Sequence, residues 1–308
     1  MILSVSRRTD IPAFYSEWFF NRIKAGYVDV RNPMSIHQVS RVSLNPDAVD
    51  CIVFWSKNPK PMLARLDELK EYKYYFQYTI NPYDKQIEAK VPAKANVIET
   101  FRKLAEKIGS KNVIWRYDPI LLTEQITTDY HKRYFEELAK RLTGYTERCV
   151  ISFVDLYKNT QTNTRPLGLK ELSSKDMEIL AAKLAQIAGG YGMEVVSCAE
   201  SIDLKKQGIE HGCCIDRRLV EEICDYKIDV KKDKNQRKEC GCVESIDIGA
   251  YNTCPHACAY CYANFNTEKV ESQSQKHIPT SSLLIGELGE NDVVKERKVK
   301  SLKAHMLF

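Results

Sequence analysis

Five of the chain's eleven cysteines fall between Cys240 and Cys261, and three of them, Cys254, Cys258 and Cys261, are separated by three and then two residues. Thiolates at that spacing can wrap one face of a cubane, each bonding a different iron of a [4Fe-4S] cluster. The fourth iron then has no protein ligand and is open to an added chelate. The same residues leave other sets open. Cys240 or Cys242 could supply a fourth sulfur and close the cluster into an electron carrier, or the pair could form one arm of a tetrahedral zinc site. The cysteines could also be buried thiols that bind nothing. His256 sits between two of the three and reads as a neighbour or surface residue rather than a ligand. Cys213, Cys214 and Cys224 read as core, and Cys51 and Cys149, at the starts of strands, as packing. An odd number of cysteines, nine of them at or after Cys198, argues against a disulfide scaffold.

Such side chains need elements to position them. Short β-rich runs at Ile2 to Ser6, Cys51 to Trp55, Tyr74 to Thr79, Asn112 to Arg116, Cys149 to Val154 and Glu194 to Ser197 alternate with segments of helical period. Val97, Phe101, Leu104 and Ile108 define one helix, stopped at Gly109. Met177, Leu180, Leu184 and Ile187 define another, with Ser174 as N-cap and Gly189 and Gly190 as the stop. Further helices are expected at 13–25, 61–72, 129–142 and 216–226. Six βα units without a glycine-rich dinucleotide fingerprint predict an α/β fold built as a partial or complete (β/α) barrel. The barrel-like catalytic unit is expected over 1–230. A cysteine-rich iron-sulfur segment and tail, 231–308, would pack on its mouth, joined through the charged stretch 227–239. Beyond Asn266 the one expected strand is Ser282 to Ile285.

In such a fold the active site lies at the C-terminal ends of the strands. The six runs lead in turn into Arg7, Arg8, Thr9 and Asp10; Ser56, Lys57 and Asn58; Asn81; Arg116, Tyr117 and Asp118; Asp155 and Tyr157; and Cys198 and Glu200. Taken singly, each reads as a cap, a turn or an ion pair: Asp10 could cap a helix, and Arg116 with Asp118 could close a turn. Taken jointly, six polar strand ends converge on one mouth.

Composition bounds the alternatives. An apolar fraction of 44% and a charged fraction of 28% are those of a chain that buries a core, and a net charge of +5 names no partner by itself. The N-terminal residues lack the order of a signal peptide and no apolar run is long enough to span a bilayer, so a cytoplasmic protein without membrane association is expected.

The strings Ser4-Val-Ser-Arg-Arg-Thr-Asp-Ile-Pro12, Val53-Phe-Trp-Ser-Lys-Asn-Pro59, Trp115-Arg-Tyr-Asp-Pro-Ile120, Ser152-Phe-Val-Asp-Leu-Tyr157, Ser197-Cys-Ala-Glu200 and Gly249-Ala-Tyr-Asn-Thr-Cys-Pro-His-Ala-Cys-Ala-Tyr-Cys-Tyr-Ala-Asn264 occur in this order. Over residues 1–266 they resemble a prokaryotic family of domains of unknown function. The cysteine loop, with Tyr260 before its last cysteine, is also similar to that of radical S-adenosylmethionine enzymes, and more distantly to relatives of spore photoproduct lyase. That resemblance implies a [4Fe-4S] cluster on Cys254, Cys258 and Cys261, with S-adenosylmethionine chelating the open iron. The loop of those enzymes follows the first barrel strand, whereas here it follows the sixth unit, and a circular permutation would reconcile the two.

No Gly-Gly-Glu motif is present, so cofactor recognition is expected from Asp10, Asn58, Asp118, Glu200 and Tyr260. Arg7, Arg8, Lys57 and Arg116 would clamp an anionic small-molecule or nucleic-acid-derived substrate, or the cofactor carboxylate. Asp10, Asp118 and Glu200 would take amines or hydroxyls, and Tyr117, Tyr157 or Cys198 could relay a hydrogen atom. A ferredoxin or flavodoxin would donate the electron. The alternative is a non-enzymatic iron-sulfur or zinc module for electron transfer or nucleic-acid binding, with the run Lys231 to Lys238 beside Tyr251 and Tyr260 as a basic strip with stacking rings.

Overall fold

Alternate residues of each apolar run face opposite sides of a strand, and here both sides are buried. Leu3, Phe54, Phe76, Trp115 and Ile151 belong to one core cluster, and their neighbours Ile2, Val53, Tyr75, Ile114 and Val150 to a second. The computed structural model describes residues 1–155 and 158–304. In chain order its elements are β1 (Ile2–Val5), α1 (Ile11–Phe14), α2 (Ser16–Ala25), β2 (Tyr27–Asn32), β3 (Ser35–Ser43), β4 (Cys51–Ser56), β5 (Tyr74–Thr79), α3 (Lys94–Ile108), β6 (Val113–Ile120), α4 (Thr128–Leu142), β7 (Arg148–Phe153), α5 (Lys158–Thr164), α6 (Ser174–Gly190), β8 (Glu194–Cys198), β9 (Glu210–Gly212), α7 (Arg217–Cys224), β10 (Ile246–Asp247), α8 (Thr267–Ser274) and β11 (Val293–Glu296).

Eight of the strands form one sheet in the order β10-β1-β4-β5-β6-β7-β8-β9, and every pairing in it is parallel. The order never reverses around an internal strand, so the sheet is not doubly wound. Nor is it a closed barrel, because no pairing joins β9 to β10 among the described residues. Helices flank it. The buried faces of α3, α4 and α6 join the first cluster, through Phe101 and Leu104, Phe135 and Leu142, and Leu180 and Leu184. The short α7 joins the second through Leu219, Val220 and Cys224. Thr127 caps α4 by accepting from the Tyr130 amide at 3.2 Å, and Gly109 ends α3 at a φ of 89°.

The six strands expected from the sequence are β1, β4, β5, β6, β7 and β8, each shifted by a few residues at most. Other expectations need correction. The N-cap of α6 is Ser173, not Ser174. The segment Lys60–Leu69 is a 3₁₀ run rather than an α-helix. Ser282 to Ile285 is not a strand: Leu283 makes a single bridge to Asp29, while β11 joins β3 and β2 in a small separate sheet. The charged stretch after α7 carries no helix or strand and makes single bridges, Ile228 to Lys303 and Lys232 to Val243.

The segment from 231 onward interlocks with the rest through β10. Its Ile246 and Asp247 pair with Leu3 and Ser4, so the chain leaves β10 at the same end of the sheet as it leaves β1. Gly249 permits this closeness: a Cβ there would lie 2.0 Å from Ser6 Oγ and 2.6 Å from Ser6 Cβ. Gly249→Ala is expected to cost about 1–3 kcal/mol in chemical denaturation. Gly289→Ala, whose Cβ would meet nothing nearer than Asp292 Oδ2 at 4.0 Å, should change stability by less than about 0.5 kcal/mol. Equal effects of the two would contradict the close approach.

Candidate functional site

The C-terminal ends of the strands open into one cavity of about 420 Å³, bordered by Ser6 to Asp10 after β1 and by Cys198 at the end of β8. In a flat sheet those two ends would stand five strand spacings, about 24 Å, apart. The sheet therefore bends around the cavity. Arg7, Arg8, Asp10, Lys57, Arg116 and Asp118, all expected at the mouth, line it together with Tyr260 and the three cysteines of the 254–261 loop. Asn58 and Glu200 are not in its wall, and Tyr157 lies outside the described residues.

Tyr117 also departs from expectation. Strand alternation sends Arg116 and Asp118 to the cavity and Tyr117 to the helices, where its hydroxyl meets His131 Nδ1 at 2.7 Å. It cannot relay a hydrogen atom in the cavity. Nor do the cations form a clamp without counter-charges. The backbone N–H of Arg7 donates to Asp247 at 2.8 Å, and its guanidinium reaches Ser245 at 3.1 Å and Asp233 at 3.5 Å. Lys57 Nζ sits 2.8 Å from Glu88 Oε1 and 2.7 Å from the Tyr260 hydroxyl. Arg116 pairs with Asp118, whose other oxygen accepts from Ser152 at 2.7 Å. Arg8 differs: it lies 5.1 Å over the Tyr251 ring and has no carboxylate partner among the described residues.

Burial opposes ionisation of Glu88, but Lys57 and Lys94 outweigh it and hold that carboxyl at about 2. Arg116 likewise keeps Asp118 below its usual range despite burial. Asp10 is shared three ways. Its Oδ1 caps α1 by accepting from Ala13 at 3.0 Å, and its Oδ2 accepts from the Lys57 amide at 2.8 Å and meets His256 Nε2 at 2.8 Å. It therefore fixes the cysteine loop to the strand ends. Asn81, two residues beyond β5, does the same, donating to Asp118 O at 2.8 Å and to the Tyr260 hydroxyl at 3.1 Å.

Cys254, Cys258 and Cys261 are half-buried and border the cavity together. Backbone amides face two of the sulfurs, that of His256 at Cys254 and those of Ala263 and Asn264 at Cys261, and the Tyr260 hydroxyl faces Cys258. Burial pushes all three thiols up, Cys258 to about 12. Among the described residues no group of three or more His, Cys, Asp and Glu stands as placed so that it could hold a metal ion. The donor chemistry nonetheless fits a thiolate-bound cluster: three sulfurs, N–H groups directed at sulfur, and a cavity beside them. Three buried polar atoms of its wall, Arg7 Nη1, Thr9 Oγ1 and His256 Nδ1, have no hydrogen-bond partner among the described residues.

Cys240 and Cys242 also line the cavity, on the side of Cys198 and Cys214. They interact with each other, and Cys242 interacts with Cys214. Cys214, read as core from the sequence, also lines the cavity. Glu88 and Asp247 belong to no motif and do not stand out in the sequence. The only hint of Asp247 is the pair Ser4 and Ser6 at the end of β1 opposite it.

A parallel, bent α/β sheet whose strand ends and cysteine loop enclose one polar cavity is the class of protein this geometry defines. The chain belongs to DUF1848, a domain of unknown function, whose family model matches residues 2–263. No curated protein matches it. Among solved structures, a putative alpha-L-fucosidase from Bacteroides thetaiotaomicron VPI-5482 aligns at 12% identity over 75% of this chain and 85% of that chain. Its TM-score of 0.27 is too low to relate the folds. No helix among the described residues is long and apolar enough to cross a membrane.

Glu200 gives a pH test of the β7–β8 end of the site. Its carboxyl accepts from the Phe153 amide at 2.8 Å, yet burial, with Asp155 and Asp118 adding, pushes it up to about 7 from an ordinary 4.5. A carboxyl raised on folding contributes stability that is complete below pH 4.5 and is lost as pH rises through 7. Denaturation at pH 5 and pH 8 should therefore show Glu200→Gln gaining stability relative to wild type at the higher pH. A difference that is the same at both values would contradict this.

Proposed function

We propose that this protein is a radical S-adenosylmethionine-type iron-sulfur enzyme, with a [4Fe-4S] cluster held by Cys254, Cys258 and Cys261. The observation that carries the reading is the convergence of these thiols and the polar strand ends on one cavity. When bound and reduced, the cluster supplies the electron that cleaves the cofactor's sulfonium. The sheet order supports a permuted partial barrel. Counted from β10, the three-cysteine loop follows the first strand in space and β1 comes second, which is the place this loop has in the enzymes it resembles.

The chain's own residues have distinct parts in this reading. Asp10, through His256 and the Lys57 amide, holds the loop against the mouth. Glu88 and Lys57 fix the Tyr260 hydroxyl, so that ring lines the cavity beside Cys258 and Cys261. The unpartnered atoms of Arg7, Thr9 and His256 offer groups for the cofactor's amino-acid end. Arg8 is left to meet an anionic group of a small-molecule or nucleic-acid-derived substrate. A small ferredoxin or flavodoxin would supply the electron.

The test is anaerobic reconstitution with iron and sulfide, then electron paramagnetic resonance of the reduced protein with and without S-adenosylmethionine. The cluster signal should shift on adding the cofactor, and Cys258→Ala should remove the shifted signal. An unshifted signal would contradict an open iron and would favour a module that only transfers electrons.

A further inference from the structure

The second face of the sheet holds a concentration of sulfur that the loop at 254–261 does not account for. Cys198 ends β8, Cys214 follows β9, and Cys240 and Cys242 precede β10. All four are buried, at 8%, 5%, 6% and 2% exposure, and all four line the main cavity. Cys198 Sγ lies 2.9 Å from Cys214 Sγ. Cys214 also interacts with Cys242, and Cys242 with Cys240, so the sulfurs form one connected group drawn from three stretches of chain. None is in a disulfide.

Their surroundings are not those of inert core thiols. Arg116 Nη1 donates to Cys214 Sγ at 2.7 Å, and the Ile215 amide faces Cys242 Sγ at 3.4 Å. Arg7 stands close enough to Cys242 to interact with it electrostatically, and its buried Nη1 has no hydrogen-bond partner among the described residues. Both guanidinium groups already have carboxylate partners, Asp118 for Arg116 and Asp233 with Asp247 for Arg7, and each also stabilises a neighbouring thiolate. Were all four sulfurs ionised, this low-dielectric interior would need a cation among them. Gly241 keeps the two-cysteine turn against the next strand: a Cβ there would fall 2.6 Å from Cys213 Sγ.

We propose that Cys198, Cys214, Cys240 and Cys242 ligate a second, closed metal centre on the inner face of the sheet, a thiophilic ion or an iron-sulfur cluster. Four thiolates are a complete ligand set for either. Cys198 and Cys214 lie closer together here, at 2.9 Å, than a metal would leave them: around tetrahedral zinc with bonds of about 2.3 Å two sulfurs stand about 3.8 Å apart. Binding therefore spreads the group, and tethers the stretch before β10 to the ends of β8 and β9. The centre is independent of the three-cysteine loop, and either can fail alone.

Iron, acid-labile sulfide and zinc would be counted per chain after anaerobic reconstitution with iron and sulfide, and separately with zinc alone. The proteins are wild type, the Cys254→Ala/Cys258→Ala/Cys261→Ala variant and the Cys198→Ser/Cys242→Ser variant. If the second centre is a cluster, the triple variant should keep about four of about eight irons; if it is a single ion, it should keep one zinc. The double variant should lose that metal and keep the metal of the loop. A folded triple variant that binds no metal, or a double variant that binds as much as wild type, would overturn the proposal. A triple variant with undiminished iron would instead sink the three-cysteine reading. Should the double variant not fold, maleimide labelling of wild type with mass mapping decides. Cys198, Cys214, Cys240 and Cys242 should be shielded until a chelator strips the metal, and labelling equal before and after would overturn the site.

Discussion

The carboxylate of Asp247 is the joint on which the site depends. It accepts from the hydroxyls of Ser4 at 2.8 Å and Ser6 at 2.7 Å, and from the amides of Arg7 at 2.8 Å and Gly249 at 3.0 Å. β10 contributes only two residues to the sheet, too few for backbone pairing alone to hold a strand in place. The four hydrogen bonds to one ionised group, each stronger than a neutral bond, supply what the short ladder lacks. With β10 fixed beside β1, the chain has no choice but to enter the cysteine loop at the mouth of the cavity.

Around that mouth, charge is balanced in pairs rather than left open. Lys57 with Glu88 and Arg116 with Asp118 are buried pairs, each completed by further hydrogen bonds: the first by Tyr260, the second by Ser152 and Gln77. Buried pairs of this kind add little net stability, but removing one partner strands a charge. They serve to hold positions. Each links a strand end to a neighbour, so the cavity wall keeps its shape without packing alone, and only a few polar atoms remain for a ligand.

Much of the frame is legible in the sequence because parallel strands buried on both faces are continuous apolar runs, as at Cys51 to Trp55 and Tyr74 to Thr79. The helices are legible for a related reason, since α3 and α4 bury one stripe and expose the other. Elements that lack period are not. β2 and β3 form a hairpin whose Ile36, His37 and Gln38 are exposed, so its strands do not alternate cleanly. β10 is too short to register. The strand-end residues are legible as a set, yet their roles are not: whether Arg116 clamps a ligand or pairs with Asp118 two residues on depends on rotamers, and whether Cys214 is core or cavity wall depends on bending of the sheet. Glu88 and Lys94 meet six residues apart across a turn, which no motif announces.

The cluster assignment stands or falls on where iron sits relative to the loop that β10 delivers. Diffraction from anaerobically grown crystals of the reconstituted protein, measured at the iron absorption edge, answers this directly. Iron should be bonded to the sulfurs of Cys254, Cys258 and Cys261 with no fourth side chain attached and its open side toward Arg7 and Thr9. Iron absent from those three sulfurs, or a cluster there closed by a fourth protein ligand, would contradict the assignment.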